Sequence, residues 1–243
     1  MTQIDLSIVL PCYNESGNIP LILKRFSNLL ANRRNVEVLL VNNGSTDNSQ
    51  EIINSELEKA ENSFARVVCV KANKGYGFGI MSGVREANGQ VIAWTHADMQ
   101  TDPNDVLENF GKYRSQILSG KYYCKGRRVE RNPVDAFFTW GMSIISTAFL
   151  GAKFNDINAQ PKMFDKGFVK YLQSPPDDFS LDLYLMYQAC KHKIECIEIP
   201  VSFFERKHGS AKGGGTLTGK IKLIHRTFKY IRRVSREIKK GMR

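Results

Sequence analysis

The stretch Val91-Ile92-Ala93-Trp94-Thr95-His96-Ala97-Asp98-Met99-Gln100-Thr101-Asp102-Pro103 decides how this chain is read. Four apolar residues run directly into metal-capable side chains, and Pro103 opens a helical pattern. That order predicts a buried strand delivering ligands at its carboxyl end, where open α/β sheets bind them. His96 and Asp98 alternate, so in extended chain both face one side, with the Gln100 carbonyl two residues further on. One carboxylate, one imidazole and one amide oxygen suit a divalent ion that keeps water and phosphate oxygens, Mn²⁺ or Mg²⁺ rather than a closed zinc site. Asp98 and Asp102 equally fit a plain cap on the helix after Pro103, so the surrounding chain has to decide.

Upstream lie three strand–helix units. Leu6 to Pro11 is a short β-rich run ended by proline, followed by a polar turn from Cys12 to Asn18 and a helix-period segment from Ile19 to Leu30. Val36 to Val41 is a second strand, Asn42 to Asp47 supplies turn and cap residues, and a helix runs through Ile52, Ile53 and Leu57. The third strand, Arg66 to Val70, leads through Asn73-Lys74-Gly75-Tyr76-Gly77-Phe78-Gly79 into a helix through Met81, Val84 and Ala87. These glycines read as close helix packing in preference to phosphate binding, because they follow the third strand and not the first. Four such units in sequence imply a mostly parallel, Rossmann-like α/β sheet flanked by helices.

Downstream the pattern changes. After a helix from Pro103 to Ile117, the strand Tyr122 to Arg128 ends in basic residues suited to a pyrophosphate. Phe137 to Leu150 is uncharged and aromatic-rich but shorter than the roughly 20 residues of a spanning helix, and reads as buried core in preference to a membrane-interface helix. Asp156 to Lys162 is a polar loop fit to wall an acceptor site, and Met163-Phe164 leads into a short amphipathic helix to Leu172. Phe179 to Gln188 is helical and carries Asp182; Cys196 to Phe204 is a last strand, broken at Pro200 and so expected at a sheet edge. Arg206 to Gly215 is a basic, glycine-rich loop expected to be mobile and to fold over a polyphosphate.

From Leu217 to Ile238 apolar residues recur at three- and four-residue steps among Lys220, Lys222, Arg226, Lys229, Arg232, Arg233, Arg236, Lys239 and Lys240. A narrow apolar stripe under a dense basic face fits an interfacial helix on anionic lipid, where each basic residue contributes about 1 kcal/mol. The same pattern fits a helix packed on the domain with its basic face in water. The expected division is therefore one α/β domain over residues 1–215 and a basic amphipathic C-terminal helix over 216–243.

The composition agrees. A chain of 243 residues, 42% hydrophobic and 24% charged, fits one sizeable domain. The start lacks a secretory-signal pattern, and Cys12, Cys69, Cys124, Cys190 and Cys196 lack any CxxC spacing and read as reduced core residues, which suits the cytoplasm. The net charge of +11 calls for an anionic partner. Most of the excess follows residue 205, with a smaller group at Lys121 to Arg131. No nucleic-acid partner is expected from that distribution; an anionic membrane surface and phosphorylated compounds are.

Four motifs in order carry a resemblance: Leu10-Pro11-Cys12-Tyr13-Asn14-Glu15, Asn42-Asn43-Gly44-Ser45-Thr46-Asp47, Asn73-Lys74-Gly75-Tyr76-Gly77 and His96-Ala97-Asp98-Met99-Gln100. More loosely, Gly126-Arg127-Arg128, Asp156 to Lys162 and Arg206 to Lys212 continue it. The chain resembles the inverting glycosyltransferase family 2 with its GT-A fold, most closely the branch similar to dolichyl- and polyprenyl-phosphate glycosyltransferases. The resemblance implies that Pro11, Tyr13, Glu15, Asn43 and Lys74 hold the nucleotide and that Asp98 and Gln100, with His96, hold the metal on its diphosphate. It implies that Arg128, Arg131, Lys162, Arg206 and Lys212 meet phosphates of the donor or of a lipid acceptor. Asn43 stands where the family has Asp, which leaves a UDP- or GDP-linked donor open. His96 also replaces an Asp, removing a negative charge from the metal site and tilting it toward Mn²⁺.

The implied reaction is inverting hexosyl transfer from a nucleotide-diphosphate sugar, with catalytic roles for Asp98, Asp156 and Asp182. A hydroxyl acceptor needs a general base, for which Asp156 and Asp182 are the candidates. A lipid phosphate, with a second pKa near ~6, is already an anion and needs none. The expected enzyme acts on polyprenyl phosphate as a peripheral protein on the inner membrane face, in cell-envelope polysaccharide synthesis. Extension of a hydroxyl on a lipid-linked or polysaccharide sugar, and a non-catalytic binding module, are the alternatives.

Overall fold

A computed structural model of the chain describes residues 3–129 and 154–208, together with 141, 143, 144, 147, 225 and 228–232. Its centre is a seven-stranded sheet, with β1 (Leu6–Cys12), β2 (Val36–Asn43), β3 (Ala65–Val70), β4 (Val91–Trp94), β5 (Tyr122–Arg128), β6 (Lys162–Asp165) and β7 (Glu195–Val201) in the order β3-β2-β1-β4-β6-β5-β7. Every pairing is parallel except the two made by β6. The helices are α1 (Ile19–Leu30), α2 (Ser49–Leu57), α3 (Tyr76–Glu86), α4 (Pro103–Leu118) and α5 (Leu181–Lys191).

The central strands read as unbroken apolar runs because both faces are covered. Ile8 and Leu10 point to the layer holding α1 and α4, with Ile22, Phe26, Val106 and Phe110. Val9, Ile92 and Trp94 point to the layer holding α3 and α5, with Ile80, Val84, Leu181 and Leu185. Gly83 lets α3 lie on the sheet, since a Cβ there would sit 2.5 Å from Val9 and 2.7 Å from Val41. β1 reaches Cys12, one turn of the pleat beyond the expected stop at Pro11. Val9 turns its carbonyl to Thr95, and Pro11 faces the same side beyond the end of β4, where no strand needs its missing N–H. The chain reverses direction across the sheet between β1 and β4, which puts the topological switch point at their carboxyl ends.

Three expectations are corrected. Met163-Phe164 belongs to β6, wedged antiparallel between β4 and β5, and Lys166–Tyr171 is a 3-10 turn, not an α-helix. Only Cys12 and Cys124 are buried; Cys69, Cys190 and Cys196 are exposed, Cys69 and Cys196 because they lie on the edge strands β3 and β7. β7 stops at Val201, short of Phe204, although it does lie at the sheet edge as expected. Most of Phe137–Leu150 and of 216–243 lies outside the described residues. Within the latter, Tyr230 and Ile231 are helical and buried in the α3–α5 layer, with Tyr230 edge-on to Tyr184. Among the described residues no helix is long and apolar enough to cross a membrane.

Glu37 joins β2 to its neighbours. Its carboxylate accepts from Ser7 Oγ (2.6 Å), Asn88 N (2.7 Å) and Arg66 Nε (3.0 Å). Burial pushes its pKa up, but the bonds from Ser7, Asn88 and Arg66 together outweigh burial and hold it below the ordinary value. A carboxyl lowered in the folded state stabilises the fold fully above its unfolded pKa and loses that contribution as pH falls through the folded pKa. Glu37→Gln is expected to cost about 1.5–3 kcal/mol at pH 7 in urea unfolding, and the gap between the variants to close as pH drops below 4.5.

Candidate active site

The residues after β4 do not continue as extended chain. Met99 has φ +62°, which turns the backbone between Asp98 and Gln100, and Gln100 N donates to Asp98 Oδ1 at 3.1 Å. The expected one-sided alternation is therefore replaced by a tight loop, closed by a 3.0 Å bond between the Thr95 and Thr101 hydroxyls. Asp102 caps α4 by accepting from Asn104 N (2.9 Å) and holds Arg25 in a 2.7 Å ion pair. The capping role thus falls to Asp102, which leaves Asp98 to the site. Asn14 (φ +55°) in the β1–α1 loop and Asp156 (φ +37°) are also left-handed, so three of the four non-glycine residues with positive φ among the described residues surround this end of the sheet. Such conformations cost about 1–3 kcal/mol each and collect at functional sites.

Asp98 is 3% exposed. Arg206 Nη2 lies 2.6 Å from its Oδ2, Arg206 Nε donates to Gln100 Oε1 at 3.2 Å, and Arg206 Nη1 is 3.6 Å from Glu15 Oε1. His96 Nδ1 is 4.0 Å from Asp98 Oδ1, and burial holds the imidazole pKa below its ordinary value, hence neutral. Beside it the exposed Phe203 meets the His96 ring edge-on and carries the Arg128 guanidinium over its face at 5.5 Å. Arg128 in turn grips Asp156 through backbone N, Nε and Nη2. The site thus brings Glu15, His96, Asp98, Gln100, Arg128, Asp156 and Arg206 into one continuous set of contacts. Burial, with Glu15 and Asp98 adding to it, pushes the nearby Cys12 thiol well up, which keeps it protonated.

A second cluster lies deeper. Asp182, 1% exposed, receives Lys162 Nζ at 3.2 Å and the Trp94 indole N–H at 3.4 Å on one oxygen, and the Tyr76 hydroxyl at 3.1 Å on the other. Lys162 is wholly buried, and its ammonium also donates to the carbonyls of Ile157 and Ala159, both at 2.7 Å. Its donors are therefore spent on the 155–161 loop and Asp182, not presented to the cleft. Gln160 Nε2 donates to the Tyr76 hydroxyl, and Tyr76 stacks on Phe179 at 4.5 Å. Tyr76, Trp94, Gln160 and Phe203 were not singled out from the sequence. A buried Trp signals that its N–H has a partner; nothing local names one 88 residues away.

At the neighbouring edge, Asn43 Nδ2 donates to the Gly75 carbonyl (2.9 Å), while its Oδ1 is buried without a hydrogen-bond partner. Pro11 and Tyr13 are half-buried on the same loop end, and the Lys74 ammonium sits over the Phe78 ring at 4.8 Å. Arg131 and Lys212 lie outside the described residues.

Among the described residues no three His, Cys, Asp or Glu converge as a metal cage. The donors that do converge, the Asp98 carboxylate with the Gln100 amide and the neutral His96 ring, fit a divalent ion that takes its remaining ligands from a diphosphate and water. A guanidinium already in contact with the carboxylate and the amide shows that the place favours positive charge.

Residues 7–168 match the family described as glycosyl transferase family 2. Among curated proteins, the chain is 26% identical over 212 residues to an undecaprenyl-phosphate 4-deoxy-4-formamido-L-arabinose transferase of Pseudomonas savastanoi pv. phaseolicola, covering 85% of this chain and 60% of that protein. It is 26% identical over 240 residues to a dolichol-phosphate mannosyltransferase of Pyrococcus furiosus, covering 96% of this chain and 66% of that one. The chain thus spans under two thirds of the length of these relatives. Among solved structures, glucosyl-3-phosphoglycerate synthase from Mycobacterium tuberculosis, crystallised with Mn²⁺, UDP and glucosyl-3-phosphoglycerate, superposes with a TM-score of 0.68 at 15% identity, over 96% of this chain and 80% of that one. At that identity the likeness speaks for the fold.

Removing one partner of the buried pair strands the other. Lys162→Met is expected to lose about 3–5 kcal/mol of stability in urea unfolding, and adding Asp182→Leu to recover part of it.

Proposed function

The chain belongs to glycosyl transferase family 2, and on that premise we propose that it moves a sugar, with inversion, from a nucleotide-diphosphate donor to a polyprenyl phosphate at the inner face of the membrane. Both curated relatives are named for transfer to a polyprenyl-type phosphate. The observation that carries the choice of acceptor is the state of the two candidate bases. Asp156 is clasped by Arg128 and Asp182 is buried against Lys162, with side chains 9% and 1% exposed. Carboxylates whose oxygens are already engaged by fixed cations and donors are poorly placed to take a proton from an acceptor hydroxyl, which suits a nucleophile that arrives already deprotonated.

In this reading Asn43 recognises the base: its Nδ2 is tied to Gly75, and the unpartnered Oδ1 is left to accept an imide N–H such as uracil or guanine carries. Asp98, Gln100 and His96 would hold a divalent ion, which neutralises the departing diphosphate when bound. Arg128 supplies fixed positive charge on the acceptor side, and Arg206 supplies positive charge beside the donor diphosphate. Asp156 fixes Arg128, and Asp182 fixes Lys162 and Tyr76, so both acids act by positioning. The exposed Phe204, Arg127 and Lys207 would face the lipid surface, and the basic composition of 216–243 would add affinity for anionic lipid.

The test is transfer by the full chain, with Mn²⁺, from UDP- and GDP-sugars to undecaprenyl phosphate in anionic vesicles. An acid-labile lipid-phosphate sugar is the expected product, and Asp98→Ala is expected to lower kcat/KM by about 100-fold or more. Asp182→Asn should lose stability yet keep phosphate transfer per folded molecule. Transfer only to a sugar hydroxyl, or loss of all transfer in folded Asp182→Asn, would overturn the proposal.

A further inference from the structure

The segment after β7 runs back across the mouth of the site and is pinned at two points. Phe204 N donates to the Gln100 carbonyl at 2.8 Å, and the His208 carbonyl accepts from Asn18 Nδ2 at 3.2 Å. His208 packs so closely on Gly17 that a Cβ there would stand 3.0 Å from its ring. Between the pins, Arg206 lowers its guanidinium onto Asp98, Gln100 and Glu15. One group therefore touches the carboxylate and the amide that would hold a divalent ion, and the acid on the β1–α1 loop as well. A guanidinium does not deprotonate, so this is a permanent charge. Asp98, at 3% exposure, needs such a counter-charge in any state that lacks another.

We infer that Arg206 is the resident counter-cation of Asp98, and that a divalent ion and Arg206 exclude one another there until a diphosphate gives the guanidinium a new partner. The inference deepens the donor-site reading above and rests on it. A metal ion arriving alone must break a 2.6 Å ion pair and leave the guanidinium without its carboxylate. A metal ion arriving with a diphosphate need not, because phosphate oxygens accept the same paired N–H bonds. The exchange makes metal and donor bind together, and by linkage each strengthens the other.

The measurement is Mn²⁺ binding to the full chain without nucleotide, followed by the paramagnetic resonance signal of free Mn²⁺. Arg206→Gln is expected to bind Mn²⁺ about tenfold or more tighter than the unaltered chain, and adding Asp98→Asn to abolish the gain. Arg206→Lys, whose compact ammonium cannot span all three partners, is expected to fall between and serves if the glutamine variant does not fold by circular dichroism. Equal affinity in the unaltered chain and the Arg206 variants, a gain that survives Asp98→Asn, or no binding in any variant would each overturn the inference. Sugar transfer is not read, so an Mn²⁺ gain in a chain that no nucleotide stabilises against heat would sink the transferase reading and leave the mutual exclusion of metal and Arg206 standing.

Discussion

The ion pair between Lys162 and Asp182 is the interaction on which the rest of the architecture leans. Two charges, 0% and 1% exposed, are tolerable in an apolar layer only because nearly all of their hydrogen-bonding capacity is used. The uses are what matter. Asp182 begins α5, Trp94 ends β4, Tyr76 begins α3, and Lys162 begins β6 while gripping the loop that precedes it. Four elements that frame the cleft therefore meet at a single polar node, and none of them can shift without stranding a charge. A greasy contact of equal size would stabilise as much and specify less.

Against that rigid floor, the mouth of the site is built from charge and turn. Asn14, Met99 and Asp156 hold left-handed backbone that the surrounding bonds must sustain. Arg128 is oriented by two partners, the Asp156 carboxylate, which accepts from both its backbone and its side-chain N–H groups, and the Phe203 ring beside it. Preorganised cations of this kind are set before a ligand arrives, so little reorganisation is needed when charge develops. Arg206 is different in kind: its partners are the very groups a ligand would recruit.

Much of this was legible in the sequence where the signal is local and repeated. Four strand–helix units with turn residues between them announce a mostly parallel sheet, and Pro200 announces an edge. β6 was not legible, because Lys162–Asp165 offers two apolar residues between two charged ones and its partners lie some 70 positions upstream and 40 upstream. Lys162 was read as a phosphate contact for the same reason: a buried lysine is legible only once its acid is known, and Asp182 sits 20 residues on, in α5. The loop after β4 was legible by composition but not by shape, since alternation assumes extended chain and Met99 turns it. Cys69 and Cys196 on the surface show the limit of reading burial from apolar neighbours at a sheet edge.

The reversed strand β6 also bears on how the chain is made. β1 to β4 with their helices are complete once residue 118 has left the ribosome, and at that moment the outer edge of β4 has bare N–H and C=O groups. The strand that covers them is synthesised about 70 residues after Trp94. An apolar four-residue edge left open for that interval is a template for pairing with another chain. Thr95-His96 and the polar loop beyond cut that edge short, so the same abrupt end that opens the cleft limits the nascent chain's opportunity to aggregate.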